Sequence, residues 1–135
     1  MRAHINDSFS HVSPVIDTDR ILKARQLVKQ VYIDERIEQY IADIVFATRY
    51  PEQYKLKDFK NYISFGGSPR ASINLALAAR ACAFIKRRGY VVPEDVREVA
   101  ADVLRHRIGL SYEAEASDIK ADDIVKEILN KVEVP

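Results

Sequence analysis

The sequence predicts an all-α fold, a compact bundle of about five helices with short extended segments between them. Three observations carry that expectation. Only four glycines and five prolines occur among 135 residues, too few sharp turns for a many-stranded β architecture. Apolar residues recur at three- and four-residue steps in several windows, the signature of an apolar helix face. Proposed helix starts carry Asp, Ser or Pro, and proposed ends carry cations and glycine.

Residues 1–16 are polar and weakly patterned, and they read as an arm or linker. Residues 17–135 read as one helical domain. Asp17 and Thr18 can cap a first helix whose apolar face, Ile21, Leu22, Leu27 and Val28, is imperfect. A break is expected near Tyr32 and Ile33, with Asp34 capping a second helix. Ile37, Tyr40, Ile41, Ile44 and Val45 place one stripe on that helix, and Tyr50-Pro51 ends it, because a residue before proline leaves the α region.

The stretch from Glu52 to Gly67 holds Tyr54, Leu56, Phe59, Tyr62, Ile63 and Phe65, too many large apolar groups for a solvated loop. It reads as a packed excursion with a helical turn and an extended piece at 62–65. Ser68-Pro69 then opens an alanine-rich third helix, with serine at the N-cap and proline at the first helical position. Lys86, Arg87 and Arg88 suit its C-terminal end, with Gly89 as the C′ residue. Pro93-Glu94-Asp95 starts a fourth helix, whose stripe is Val96, Val99, Ala100, Val103 and Leu104. Glu113, Glu115 and Asp118 read as an acidic connection. A last helix spans about 121–132 with Ile124, Ile128 and Leu129 inward. Further extended pieces are expected near 90–92 and 108–112.

Composition excludes several functions. The apolar fraction of 47% supports a real core. Twenty-one basic against twenty acidic residues leave a formal net charge of +1, without the basic excess of a dedicated nucleic-acid binder. One cysteine permits no intramolecular disulfide and no thiolate zinc site. No apolar run approaches a membrane span, and a cytoplasmic location is expected.

Motifs for chemistry are missing as well. None of Gly66, Gly67, Gly89 and Gly109 is followed by lysine, so the chain holds no P-loop. No apolar strand ends in an Asp-Glu pair that would hold magnesium. His4, His11 and His106 are far apart, and no helical metal-ligand spacing exists, so no metal site is expected. Cys82 lies among Ala81, Ala83 and Phe84 and reads as a small core residue.

Arg70 is the residue whose placement looks costly. A cation at the second position of a helix faces the positive end of the macrodipole, at a cost of roughly 0.3–1 kcal/mol. The same helix start offers free amide N–H groups, which with an arginine make an anion site. Gly66 and Gly67 let a bulky group approach the backbone. On these residues alone, an exposed arginine paired with a nearby carboxylate is slightly ahead of an anion contact. Arg105, His106 and Arg107 sit at a helix end that favours cations, and a structural or inter-subunit role fits them better than catalysis. Tyr40 and Ile41 could touch an adenine ring, although residues on a helix stripe are usually core.

The segment Gly67-Ser68-Pro69-Arg70-Ala71 resembles the sensor-2 motif that opens the sensor helix of AAA+ lids. Arg88 through Val96, then Val103-Leu104-Arg105-His106-Arg107, are similar to the lid of the MoxR family, as is the ending at Val132–Pro135. Val31-Tyr32-Ile33 and Ala47-Thr48-Arg49 also match. The resemblance runs from about Val15 to the end, and the ordered set of matches is more specific than the pentapeptide.

It implies the C-terminal helical lid of a MoxR-like AAA+ ATPase, with an αβ core carrying the P-loop before it and residues 1–16 in the connection. Such a parent would use ATP with Mg2+, while the fragment alone would bind neither tightly nor act as an enzyme. Arg70 would be the sensor-2 arginine at the γ-phosphate, with Gly67, Ser68 and Pro69 beside it and Tyr40 and Ile41 toward the adenine. Expected partners are the missing core, neighbouring subunits of a ring, commonly a hexamer, and proteins with von Willebrand factor A domains. The implied work is chaperone-like remodelling of client complexes. The rival readings are a free-standing helical interaction module and, ranked last, a helical DNA-binding domain.

Overall fold

The computed structural model describes residues 13–135, so most of the expected arm, with His4 and His11, lies outside the described residues. Helix α1 spans Thr18–Val28, α2 Glu35–Arg49, α3 Pro69–Ile85, α4 Pro93–Leu104, α5 Tyr112–Ala116 and α6 Ala121–Lys131. Two 3₁₀ turns, Pro51–Tyr54 and Lys57–Tyr62, fill the excursion after α2. The two short strands, β1 (Ile63–Phe65) and β2 (Gly109–Leu110), pair antiparallel, with Ile63 opposite Leu110 and Phe65 opposite Gly109. The fold is therefore all-α, as the periodicity predicts.

The caps follow the sequence. Asp17 accepts the Arg20 N–H at 2.7 Å, and Asp34 accepts that of Arg36 at 3.0 Å. The core lies between α2, α3, α4 and α6. Tyr40, Ile44, Leu75, Val96, Leu104, Ile124 and Ile128 are its largest fully buried apolar side chains. Ala71, Ala79, Ala83 and Ala100 are fully buried, so α3 and α4 pack closely. Arg97 joins three helices, donating from Nη1 to the Leu129 carbonyl at 2.6 Å and to the Tyr40 hydroxyl at 3.3 Å.

Two expectations need correction. The acidic connection after β2 contains α5, because Ser111 caps it by accepting the Ala114 N–H at 3.3 Å. The end of α3 is closed by Arg87 and not by Gly89. Arg87 takes the left-handed conformation (φ 59°), its N–H donates to Phe84 O, and the Arg88 N–H donates to Ala83 O, each at 2.9 Å. Gly89 instead offers its carbonyl to the Tyr32 N–H at 2.9 Å, within a parallel bridge between Tyr32 and Tyr90. Helix α1 forms where the Asp17 cap predicts it, but it buries none of its residues: Ile21, Leu22 and Leu27 stay about half exposed. Its apolar side borders an open groove of about 440 Å³ shared with Leu77, Ala81 and Phe84 of α3.

Candidate functional site

Thr48 and Asp95 are the buried polar or charged residues of the described core, each with no exposed surface. Burial of such groups is costly unless every polar atom is bonded. Each therefore marks a place where the fold is held by specific bonds.

Thr48 lies in the last turn of α2. Its hydroxyl donates to the Val45 carbonyl at 2.6 Å and accepts the Gly67 N–H at 2.8 Å. Gly66 rests on the Thr48 backbone so closely that any Cβ there would overlap the Thr48 carbonyl. Only glycine permits that approach. The Gly66-Gly67 loop is thus fastened to α2 immediately before α3 begins.

Beyond the loop, Ser68 occupies the N-cap position of α3 with extended backbone (φ −81°, ψ 168°), and Pro69 is the first helical residue. Contrary to the expected serine cap, the Ser68 side chain makes no capping bond. The first-turn N–H groups of a 17-residue helix are therefore left without a side-chain acceptor from Ser68. Arg70 follows in the same turn. It is exposed and has no ion-pair partner among the described residues, so the alternative of a paired surface arginine finds no carboxylate. An open cleft of about 340 Å³ lies against the loop, lined by Arg49, Tyr50, Phe65, Gly66, Gly67 and Ser68. Chemically, the end of the bundle offers cations, a hydroxyl and backbone donors, a set suited to an oxyanion.

At the other end of α3, Asp95 forms a cluster that its position as a first-turn carboxylate of α4 does not reveal. Arg88 grips both its oxygens, with 2.7 Å from Nη1 to Oδ2. Lys86 Nζ reaches Oδ1 at 3.2 Å and also binds Glu98. The Val92 N–H donates to Oδ2 at 3.1 Å. Burial pushes the Asp95 carboxyl up, but the bonds from Arg88, Val92 and Lys86 outweigh it and hold it at about 2. Cys82 lies 3.6 Å from Asp95 Oδ1, and burial pushes its thiol up, which suits a core residue better than a nucleophile. The signal for this cluster was present in Lys86, Arg88 and Asp95, but their meeting depends on how α3 turns into α4.

The remaining candidates fall as follows. Tyr40 and Ile41 are each 2% exposed and belong to the core. Their side chains therefore present almost no surface to an adenine ring, which corrects that expectation: α3, α6 and α4 all pack against α2. Arg105 pairs with Asp102 at 3.0 Å and with Asp122 at 3.1 Å, joining α4 to α6. His106 is exposed. Among the described residues no three His, Cys, Asp or Glu side chains gather into a metal-holding group. No helix among the described residues is long and apolar enough to cross a membrane.

Comparison with known proteins places this arrangement. The AAA lid domain family matches residues 57–128. The chain is 38% identical over 121 residues to the chaperone MoxR1 of Mycobacterium tuberculosis, covering 90% of this chain and 32% of that protein. It is 37% identical over 124 residues to the uncharacterized protein YeaC of Bacillus subtilis, covering 92% and 36%. A crystal structure of a candidate ATPase from Cytophaga hutchinsonii superposes with a TM-score of 0.91 at 44% identity, covering all of this chain and 41% of that one. The chain spans about a third of the length of the curated relatives it matches.

Proposed function

This chain belongs to the AAA lid domain family and is of the MoxR type, and we propose that it brings Arg70 to the terminal phosphate of a nucleotide bound on an ATPase core outside this sequence. The observation that carries the reading is the placement of Arg70. It is an exposed guanidinium without an ion-pair partner among the described residues, in the first turn of a long helix whose N-cap serine makes no side-chain cap. Pro69 has no N–H and the Ala71 N–H donates to the Ser68 carbonyl at 2.7 Å, so an oxyanion at that point relieves the Arg70 amide and the misplaced cation.

In this reading ATP and its Mg2+ are held by the core, which supplies the metal ligands and the P-loop that this sequence lacks. Arg70 makes a charge-assisted contact with the γ-phosphoryl oxygens. Gly67, Ser68 and Pro69 shape the backbone beside it, and Thr48 holds that backbone in place. Hydrolysis and departure of the phosphate remove the contact, and the lid turns against the core. The Asp95 cluster keeps α3 and α4 moving as one body. The parent is a ring ATPase, in our proposal a hexamer acting in the cytoplasm. Its remodelling of client complexes, with partners bearing von Willebrand factor A domains, belongs to the same proposal.

The test is ATP turnover and nucleotide affinity in the polypeptide that joins this lid to its core, wild type against Arg70→Ala. A loss of turnover of about tenfold or more is expected for a charge-assisted contact made to the reacting phosphate. Unchanged turnover and unchanged nucleotide response in a folded variant would leave the chain as an interaction module.

A further inference from the structure

We infer that Arg49 is a second guanidinium for the same phosphoryl group, acting beside Arg70; the inference rests on the nucleotide reading of Arg70. Arg49 is the last residue of α2 and lines the cleft whose other walls are the Gly66–Ser68 loop, Tyr50 and Phe65. It is the only charged side chain among those six. Like Arg70, it is exposed and has no ion-pair partner among the described residues. Glu52, which lines the adjoining recess with Arg49, is taken by Lys60 at 3.9 Å.

The two arginines are placed by one fastening. Thr48, the residue before Arg49, binds the Gly67 N–H, three residues before Arg70. The bond is fully buried, so the end of α2 and the start of α3 keep one relative position. The Arg49 guanidinium lies 5.9 Å from the centroid of the Tyr50 ring, which itself stacks on Phe46. That distance lies at the outer edge of cation–π range, and no carboxylate competes for the guanidinium N–H groups among the described residues. Cation placement differs between the two residues: Arg49 suits the negative end of α2, whereas Arg70 opposes the positive end of α3. A phosphoryl group carries several acceptor oxygens and more than one negative charge, so it can take planar donors from two sides. A single carboxylate has fewer oxygens to divide between two such forks.

The experiment uses this chain and inorganic pyrophosphate as the probe, followed at low salt by backbone amide and arginine side-chain NMR. Wild type, Arg49→Gln, Arg70→Gln and, as a control for general charge, Lys126→Gln are titrated. Saturable shifts are expected at the Gly67 and Ser68 amides and at both arginine Nε–H groups. Each arginine variant should weaken binding by about fivefold or more, and the lysine control should bind as wild type. If Arg49→Gln binds like the control while Arg70→Gln is weakened, the Arg49 assignment is overturned and the Arg70 reading stands. Equal behaviour of all four proteins, or equal weakening in all three variants, would sink both.

Discussion

The Thr48 hydroxyl accepts the Gly67 N–H across 19 residues of sequence, at 2.8 Å and with no exposure to water. That single bond joins the end of α2 to the loop that leads into α3 and Arg70. Losing it leaves a buried amide without a partner, which costs about 1–3 kcal/mol. Thr48→Val keeps the shape and removes the acceptor, so its urea unfolding free energy should fall by about that amount. Thr48→Ser keeps the hydroxyl and should lose only the packing of one methyl group, about 1 kcal/mol or less. Hydrogen exchange at Gly67 should accelerate in the valine variant and stay slow in the serine variant. Equal exchange in both would show that the hydroxyl does not hold the loop.

Asp95 makes stability depend on acid. Its folded value of about 2 lies below the ordinary 3.8, so the folded protein binds this proton less readily than the unfolded chain. The stabilisation is therefore complete above about pH 4 and is lost as pH falls through about 2. Asp95→Asn should cost about 2 kcal/mol at neutral pH, less than a fully buried pair because Arg88 and Lys86 still reach water. Urea titrations of both proteins should show that difference shrinking toward pH 2. A constant difference would mean that packing, and not charge, is what the carboxylate contributes.

Arg87 closes α3 in a conformation that L side chains adopt at a cost of roughly 1–2 kcal/mol. Arg87→Gly removes that cost but adds freedom to the unfolded chain, worth roughly 0.5–1 kcal/mol in the other direction. A net gain of about 0.5 kcal/mol is expected as a rise in the urea midpoint with unchanged slope. Gly89→Ala should be nearly silent, since φ at Gly89 is not positive and nothing lies within 4 Å of a Cβ there.

Tyr54 binds Asp43 through its hydroxyl at 2.9 Å, and burial, then that bond, push its phenol up to about 12. The folded value is above the ordinary 10.0, so the neutral form is the one the fold favours. Its contribution is complete below pH 10 and is lost as pH rises through about 12. Tyr54→Phe should lose about 1 kcal/mol at neutral pH. The gap between the two proteins should close in alkali, and tyrosinate absorbance should show one late-titrating phenol in the wild type alone. A wild-type phenol ionising near 10 would refute the assignment.

Much of this molecule is legible in its amino-acid sequence. Local signals mark the helices: Asp17 and Asp34 cap as their chemistry requires, Pro51 stops α2, and Ser68-Pro69 and Pro93 open α3 and α4. The stripe of α2 and that of α4 identify core residues because a 3.6-residue period leaves one face to bury. The oddity of Arg70 was readable too, since the sign of a charge against a helix end needs only the position of that end. Tertiary structure decided everything that depends on two segments meeting. It placed Thr48 under Gly67, brought Lys86 and Arg88 onto Asp95, and put Arg49 at the edge of the loop that carries Arg70. Among the described residues it also left α1, whose apolar face is imperfect, without a buried side chain. Periodicity tells which face of a helix is apolar, whereas a buried hydrogen bond between distant residues exists only once packing has fixed the distance between them.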